Sequence, residues 1–385
     1  MIRRRIFEPE HEAFRESVRR WADAEINPHV EQWRKDGVVS RDVWRSAGEA
    51  GFLCMWADEK YGGAGVDDFR FDQILIEELT WRDSGFFIPL HNRIVAPYLR
   101  KFGTAEQQDR FMPGVVSGET VLAIAMTEPG AGSDLAGMRT NAVEQDDHWV
   151  LNGSKTYISN GQLAGLVVVA ARTSRESSHA IGLFLVEDGM AGFSRGEPLK
   201  KLGLHSQDTS ELFFDDVKIP KANVLGDPTK GFRYMMDGLA EERLTGAAGY
   251  MARAERAFEV TLEYVKTRRA FGRPIGAFQN TRFKIAEMRA ELDAAWAFTD
   301  HCVIEHLEGA LSAELAAEAK LLTSEVEGRV VDECLQLHGG AGYMEEYEIS
   351  RHYADARISR IYAGSSEIMK EIIGRGLGLD ERKMN

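Results

Sequence analysis

A glycine-rich loop is the first place where this chain could bind a cofactor. The loop follows the apolar, strand-like run 121–125 and contains Gly130 and Gly132 beside the hydroxyl-bearing residues Thr127 and Ser133. Because glycine has no side chain, backbone N–H groups in such a loop can approach an anionic or carbonyl ligand closely. The loop therefore indicates a cofactor site, with a plain structural turn as the alternative.

An aromatic residue and a hydroxyl form a second candidate contact. Tyr157 and Ser159 lie two positions apart in a β-prone run, and residues two apart in a strand point to the same face. A phenol ring beside a hydroxyl can pack against a flat heteroaromatic ring and hydrogen bond to its edge. The alternative is a Tyr and a Ser on an ordinary half-exposed strand.

Two further segments could contact an anion. Arg268 and Arg269 form a basic run that could pair with an anion, with a solvated basic run as the alternative. Gly339, Gly340 and Gly342 interrupt a helical pattern and expose backbone donors, and a helix C-cap is the alternative there. Both segments lie far along the chain from the glycine-rich loop, so the fold must decide whether they share a site with it.

The spacing of apolar residues, which indicates the helices and strands that position these residues, changes along the chain. The N-terminal residues keep the apolar spacing of amphipathic helices. Predicted helices there cover 8–35, 42–50, 68–82, 95–102 and 105–116. The middle of the chain instead carries short β-branched runs, and Asn152-Gly153 between two of them predicts a hairpin turn.

Long helices return in the last part of the chain. Apolar periodicity predicts helices at 231–269, 279–307 and 311–338, and short connections between them imply antiparallel packing in a bundle. The sequence thus predicts an α+β fold with three domains. They are an N-terminal helical domain (1–117), a middle β domain (118–228) and a C-terminal helical bundle (229–385).

The composition limits the classes of partner and location. A net charge of −14 argues against a nucleic-acid groove or an anionic membrane surface as the main partner. The three cysteines, Cys54, Cys302 and Cys334, are too far apart for a zinc motif or a disulfide framework, and no metal site is predicted. No apolar run approaches a membrane span, and the basic start lacks an apolar signal core, so a cytoplasmic location is expected.

Two segments match the signatures of a known enzyme family. Residues 125–137 and 336–355 resemble the first and second signatures of the acyl-CoA dehydrogenase family at each fixed position. The fixed positions of the first are Ala125, Met126, Thr127, Glu128, Ala131, Gly132, Ser133, Asp134 and Gly137; those of the second are Gln336, Gly339, Gly340, Gly342, Tyr343, Glu346, Arg351 and Asp355. The resemblance covers almost the whole chain and implies the family fold, in which the middle domain is β-barrel-like.

The resemblance also implies an FAD site. In the family, the first loop contacts the flavin and the acyl-CoA thioester, and a segment like 157–160 packs on the flavin. The segments like 268–272 and 336–343 approach the FAD of a neighbouring subunit. The implied FAD-binding residues are Met126, Thr127, Gly132, Ser133, Tyr157, Ser159, Arg268, Phe271, Gln279, Gln336, Gly339, Gly340, Ser365 and Glu367.

The position of the catalytic base separates this chain from many relatives. The family commonly places a Glu near the C-terminus, where this chain has Ala363, and alanine cannot accept a proton. Long-chain and isovaleryl members instead carry the Glu before an Arg on the first long helix of the C-terminal domain, where this chain has Glu242 and Arg243. Glu242 is therefore the predicted base, and an exposed Glu in an acidic turn is the alternative.

Neighbouring residues complete the implied substrate site. Ser133, Arg243, Ala363 and Gly364 are the predicted acyl-CoA contacts. Gly246 and Gly249 share the helix face of Glu242, and each costs the helix roughly 1 kcal/mol relative to Ala. Room for an acyl chain would explain them, and so would close helix packing.

The resemblance implies a specific oxidation. An FAD-dependent acyl-CoA dehydrogenase converts an acyl-CoA to the trans-2-enoyl-CoA and passes the electrons to an electron-transfer flavoprotein, as part of fatty-acid or related metabolism. Such enzymes are usually homotetramers. A flavin monooxygenase on the same fold and a non-catalytic acyl-CoA-binding protein are the alternatives, and Glu242 argues against both.

Overall fold

Helices at both ends of the chain flank a central β-sheet. The computed structural model describes residues 2–380, so Met1 and the last five positions of the predicted C-terminal domain lie outside it. The N-terminal helices are α1 (Pro9–Glu25), α2 (Val30–Asp36), α3 (Arg41–Glu49), α4 (Phe69–Thr80), α5 (Ala96–Phe102) and α6 (Ala105–Ser117). The predicted α+β fold is confirmed.

One predicted helix is in fact two. The sequence predicts a single helix over 8–35, but α1 ends at Glu25 and α2 begins at Val30. Pro28 lies in the turn between them. Its ring removes a backbone donor and disfavours helical geometry at the preceding residue, so the apolar period continues across a real break.

The middle of the chain forms one mixed sheet. Its strands are β1 (Leu122–Ala125), β2 (Asn141–Glu144), β3 (His148–Ser159), β4 (Leu166–Arg172), β5 (Ile181–Glu187), β6 (Phe193–Arg195), β7 (Thr209–Pro220) and β8 (Val224–Leu225). The order is β6-β7-β3-β2-β4-β5-β8, and β1 pairs in parallel with β4. This pairing places the start of the glycine-rich loop at the sheet, directly after β1.

The predicted hairpin turn at Asn152-Gly153 is wrong. Both residues lie inside β3, which continues past them to Ser159 while its pairing with β7 shifts register between Leu151 and Gly153. A Cβ at Gly153 would lie 2.7 Å from the Cα of Thr140, and the φ of Gly153 is 143°. The glycine therefore serves a bulge with a close backbone approach, not a turn.

The C-terminal part is a helix bundle. Its elements are α7 (Gly231–Thr267), β9 (Arg269–Ala270), β10 (Arg273–Pro274), α8 (Gln279–Leu307), α9 (Ala313–His338), α10 (Glu348–Ala356) and α11 (Ser366–Gly376). The three long helices were predicted to within two residues at each end.

Side-chain pairs fix the directions of the long helices. Arg253 of α7 pairs with Glu327 of α9, and Tyr264, further along α7, stacks on His338, further along α9. The chain therefore runs in the same direction through these two helices. Lys284 of α8 instead pairs with Glu333 of α9, and further along α8 Glu291 pairs with Arg329, earlier in α9. Helices α7 and α9 are therefore parallel, with α8 antiparallel to both, as in an up-down bundle.

Apolar packing joins the helices to the sheet. Leu99 of α5 and Val115 of α6 share a buried cluster with Leu183 of the sheet and Met235 near the start of α7. This cluster holds the N-terminal helices, the sheet and the first turns of α7 in one packed unit, which fixes the entry of the long helix. No helix within residues 2–380 has the length and apolarity needed to span a bilayer.

The bulge at Gly153 can be tested by adding one methyl group. We expect Gly153→Ala to lower the free energy of unfolding by roughly 1–3 kcal/mol, because the new Cβ collides with Thr140 and the φ suits glycine. Urea unfolding measures the change. Gly374→Ala, in α11 where a Cβ meets no atom within 4 Å, is the control and should be neutral or stabilising by up to about 1 kcal/mol. Equal unfolding midpoints for Gly153→Ala and the unaltered chain would contradict the close approach.

Candidate active site

Two adjacent glutamates on α7 have opposite environments. Glu241 accepts a hydrogen bond from Nη1 of Arg93 at 3.4 Å and lies 3.9 Å from Nζ of Lys101. The carboxylate of Glu242 forms no hydrogen bond or ion pair with residues 2–380. Burial raises the pKa of Glu242 to about 7, against the opposing charge of Arg243. Of the two, Glu242 alone is left available to a ligand.

Arg243 follows Glu242 and is more deeply buried. Its side chain is 5% exposed, burial lowers its pKa, and its Nε lacks a hydrogen-bond partner among the described residues. A buried guanidinium with an unfilled donor suits an acceptor that arrives from outside the chain. Its role as a substrate contact stays a prediction.

The two glycines beyond Glu242 are closely packed. A Cβ at Gly246 would lie 2.7 Å from the hydroxyl of Tyr250, which is one turn further along α7. At Gly249 a Cβ would contact Ile76 of α4 and Phe87 at 3.6 and 3.7 Å, which is ordinary van der Waals distance. Packing accounts for Gly246, whereas the surface beside Gly249 is apolar and could take one methyl group.

The segment around Ala363 is sharply bent. Ala363 and Gly364 both have left-handed backbone angles, with φ values of 52° and 91°. The carbonyl oxygen of Gly364 accepts a hydrogen bond from Nζ of Lys320 in α9 at 2.6 Å. The ring of Tyr362 lies 6.0 Å from that of Tyr250, so the segment rests against α7 and α9.

Residues after the bend begin α11. The hydroxyl of Ser365 accepts a hydrogen bond from the backbone N–H of Ile368 and caps the helix. Glu367 is exposed in the first turn, where a hydrogen bond from its own backbone N–H lowers its pKa. Ser365 thus has a structural task, and its proposed contact with a cofactor, like that of Glu367, stays a prediction.

A buried ion pair fastens the glycine-rich loop to β3. Nζ of Lys155, which is fully buried, donates to Glu128 at 2.8 Å and to the carbonyl of Met126 at 3.0 Å. Glu128 also accepts from the backbone N–H groups of Arg139 and Thr140. Because Lys155 lies 27 positions after Glu128, periodicity could not link them. A lysine in an inward position of a strand was the available signal.

Tyr157 stands out of β3 beside that loop. The pairing of β3 with β7 shifts again between Lys155 and Ile158, and Tyr157 adopts a left-handed φ of 60° with 69% of its surface exposed. Because the strand bulges here, the rule that residues two apart in a strand point to the same face does not apply to Tyr157 and Ser159. Strained backbone of this kind clusters at ligand sites.

Thr127, Gly132 and Ser133 lie in the glycine-rich loop and Ser159 ends β3, whereas six other predicted cofactor residues lie where α7 and α9 end and α8 begins. The ring of Tyr264 stacks on His338 at 4.1 Å, so the ends of α7 and α9 lie together. The backbone carbonyl of Tyr264 accepts a hydrogen bond from the N–H of Arg268, which places Arg268 at this end. The β9–β10 hairpin carries Phe271 at its tip, 95% exposed. The other predicted residues here are also exposed: Arg268, Gln279, Gln336, Gly339 and Gly340.

Three family models match the chain in succession. They describe the acyl-CoA dehydrogenase N-terminal domain over residues 8–119, the middle domain over 123–217 and the C-terminal domain over 229–378. The long-chain specific acyl-CoA dehydrogenase of Mus musculus is 46% identical, over 98% of this chain and 88% of the relative. The alignment therefore extends through every element described above.

Solved structures give the same result. An acyl-CoA dehydrogenase from Geobacillus kaustophilus superposes with a TM-score of 0.95 at 46% identity, covering 96% of this chain and 98% of that one. A glutaryl-CoA dehydrogenase from Mycobacterium smegmatis in complex with FADH2 has a TM-score of 0.90 at 30% identity, covering 97% and 95%. The chain belongs to the acyl-CoA dehydrogenase family, whose members are FAD-dependent oxidoreductases that dehydrogenate acyl-CoA thioesters.

Proposed function

We propose that this enzyme oxidises long-chain fatty acyl-CoA, with Glu242 as the base that removes the α-proton. The observation that carries the base assignment is the unpaired carboxylate of Glu242, which has a pKa of about 7 in a chain with alanine at the other base position of the family. The substrate class is supported by the 46% identity to the long-chain specific enzyme of Mus musculus. A general base works best when its pKa lies near the operating pH. The neighbouring Glu241 is held by Arg93 and Lys101 and is not available for this task.

Ala363 contributes through its backbone. An alanine side chain leaves the N–H group of residue 363 free to donate to the thioester oxygen, where negative charge develops as the α-proton leaves. Ala363 and Gly364 both have left-handed backbone angles. Such an angle at a residue other than glycine persists only where the surrounding structure imposes it, which supports a functional contact in this segment.

The exposed donors suit FAD. A Cβ at Gly132, Gly339 or Gly340 would meet no atom within 4 Å, so the backbone at each of these positions is open to a ligand. Tyr157 offers an exposed ring for the flavin, and Arg268 offers a guanidinium for the pyrophosphate. FAD held by these residues would supply the acceptor for the hydride that leaves the β-carbon.

The FAD site is proposed to be completed by a second copy of the chain. Arg268, Phe271 and Gly339 lie together at the end of the bundle, whereas Thr127 and Tyr157 lie at the sheet. A homotetramer in which one copy's bundle end covers another copy's sheet site would use both sets. The acceptor of the electrons is proposed to be an electron-transfer flavoprotein, which is typical of the family, and a cytoplasmic location stays a prediction.

Removal of the base gives the direct test. We expect Glu242→Gln to bind FAD normally but to slow anaerobic flavin reduction by acyl-CoA by roughly 10²–10⁴-fold, because the amide cannot accept the proton. Stopped-flow absorbance follows the bleaching. Glu241→Gln is the matched control, and its rate should stay within about threefold of that of the unaltered enzyme, because Arg93 keeps its ion pairs with Asp67 and Asp72 when Glu241 loses its charge.

Bleaching by Glu242→Gln at the unaltered rate would show that another carboxylate is the base. The same experiment separates the alternatives, because a flavin monooxygenase or a non-catalytic acyl-CoA-binding protein would not bleach promptly when acyl-CoA is added without oxygen.

The pH dependence follows from the raised pKa of Glu242. The base must be ionised, so the rate constant for flavin reduction should rise with pH, level off above about 7 and fall about tenfold per pH unit below it. Stopped-flow measurements from pH 5.5 to 9 trace this limb. A rate that is constant down to pH 5.5 would mean that the carboxyl titrates near its usual value.

The substrate class can be tested with a series of acyl chains. We expect kcat/KM to increase from butyryl-CoA to palmitoyl-CoA by at least about tenfold, because each buried methylene contributes about 0.8 kcal/mol. Isovaleryl-CoA serves as the branched control. A maximum at butyryl-CoA or isovaleryl-CoA would leave the base assignment intact and overturn the long-chain assignment.

A further inference from the structure

A fully buried lysine contacts the bent segment at Ala363. Lys320, on α9, has no exposed surface, and its Nζ donates to the carbonyl oxygen of Gly364 at 2.6 Å. No carboxylate within residues 2–380 forms an ion pair with it. Lysine is among the residues least often found buried without such a partner. The buried residues one turn either side of Lys320, Ala316 and Thr323, are small and uncharged.

The charges around Lys320 do not account for its burial. Desolvation, followed by the nearby charge of Arg243 on α7, lowers the pKa of Lys320 to about 8. Glu325 and Glu327 of α9 and Glu367 of α11 act in the opposite direction, each more weakly than Arg243. Helix packing alone would be served as well by a methionine, which has similar length and no desolvation cost. The hydrogen bond to Gly364 is therefore the specific contribution of this side chain.

That hydrogen bond is made just after a strained residue. Ala363 has a φ of 52° without being glycine, a conformation that costs of the order of 1 kcal/mol or more. A Cβ at Gly364 would lie 2.5 Å from Cε of Met369, so the following turn is tightly packed as well. A second anchor from α9 lies nearby, because Ser366 donates to Glu325. Both anchors hold the segment against α9.

We propose that Lys320 is a positioning residue for the reaction, which holds the backbone N–H of Ala363 toward the thioester oxygen through its hydrogen bond to Gly364. The inference rests on the proposed role of Ala363 as the oxyanion donor. It does not rest on the identity of the base. Lys320 touches neither substrate nor cofactor in this role, and its effect reaches the carbonyl through the peptide segment.

The test measures how strongly the thioester carbonyl is polarised. Octanoyl-CoA with a ¹³C-labelled carbonyl is bound to the FAD-loaded Glu242→Gln enzyme, which keeps the ligand intact, and its C=O stretch is recorded by infrared difference spectroscopy with and without Lys320→Met. We expect a shift to higher frequency in the double variant. In the Glu242 background, Lys320→Met alone should slow flavin reduction by about 10–100-fold with KM changed less than about threefold.

Lys370→Met, an exposed lysine of α11, is the matched control and should change neither readout. An unchanged carbonyl frequency in a folded, flavin-loaded Lys320→Met enzyme overturns the proposal, even if thermal stability falls, because the lysine would then serve packing alone. If Lys320→Met does not fold, Lys320→Gln, whose amide is one bond shorter and still polar, gives the same readouts. Absence of flavin reduction in the unaltered enzyme with every acyl-CoA would instead refute the proposed function.

Discussion

The buried ion pair between α7 and α9 is the interaction on which the rest of the site depends. Nη1 of Arg253 lies 2.5 Å from Oε1 of Glu327, and both side chains are almost fully buried. Nε of Arg253 also donates to Ser84, which follows α4. Separating the two charges would leave each buried without its partner, so the pair ties α7 to α9 at this point. Glu242 and Arg243 on α7 and Lys320 on α9 take their places from that alignment.

Local patterns predicted most of the architecture. The apolar period placed the long helices of the bundle, and the two glycine-rich signatures identified the family. The failures have local causes as well. The apolar period continues across Pro28, although the helix breaks there. The Asn152-Gly153 pair predicts a turn, but its glycine instead allows a close approach to Thr140, which lies too far away in sequence for a local pattern to include. Elements that depend on neighbouring residues in the sequence were thus predicted better than contacts between residues that are distant along the chain.

The side chains that tune the site were the least predictable. Glu241 and Glu242 are identical in type and adjacent, but they lie on different sides of α7, and Glu241 alone meets Arg93 and Lys101 from the N-terminal part of the chain. Lys155 and Lys320 are both buried. Lys155 pairs with the carboxylate of Glu128, and Lys320 donates to the carbonyl of Gly364, each of which is distant along the chain. Burial is a property of the assembled fold, and the sequence around Lys320, with Glu318 and Glu325 close by, does not distinguish it from an exposed lysine.

The proposed base and the proposed oxyanion donor lie on different kinds of element. Glu242 projects from the interior of a continuous 37-residue helix, whereas Ala363 belongs to a bent segment between α10 and α11. A helix interior holds a carboxylate with little freedom, while a short segment can be reshaped by insertion or substitution without unfolding the bundle. Evolution could therefore alter the pocket around the thioester, and with it the accepted acyl groups, while the carboxylate that accepts the proton keeps its position. This modularity offers a route by which one scaffold could diversify its substrates without losing its chemistry.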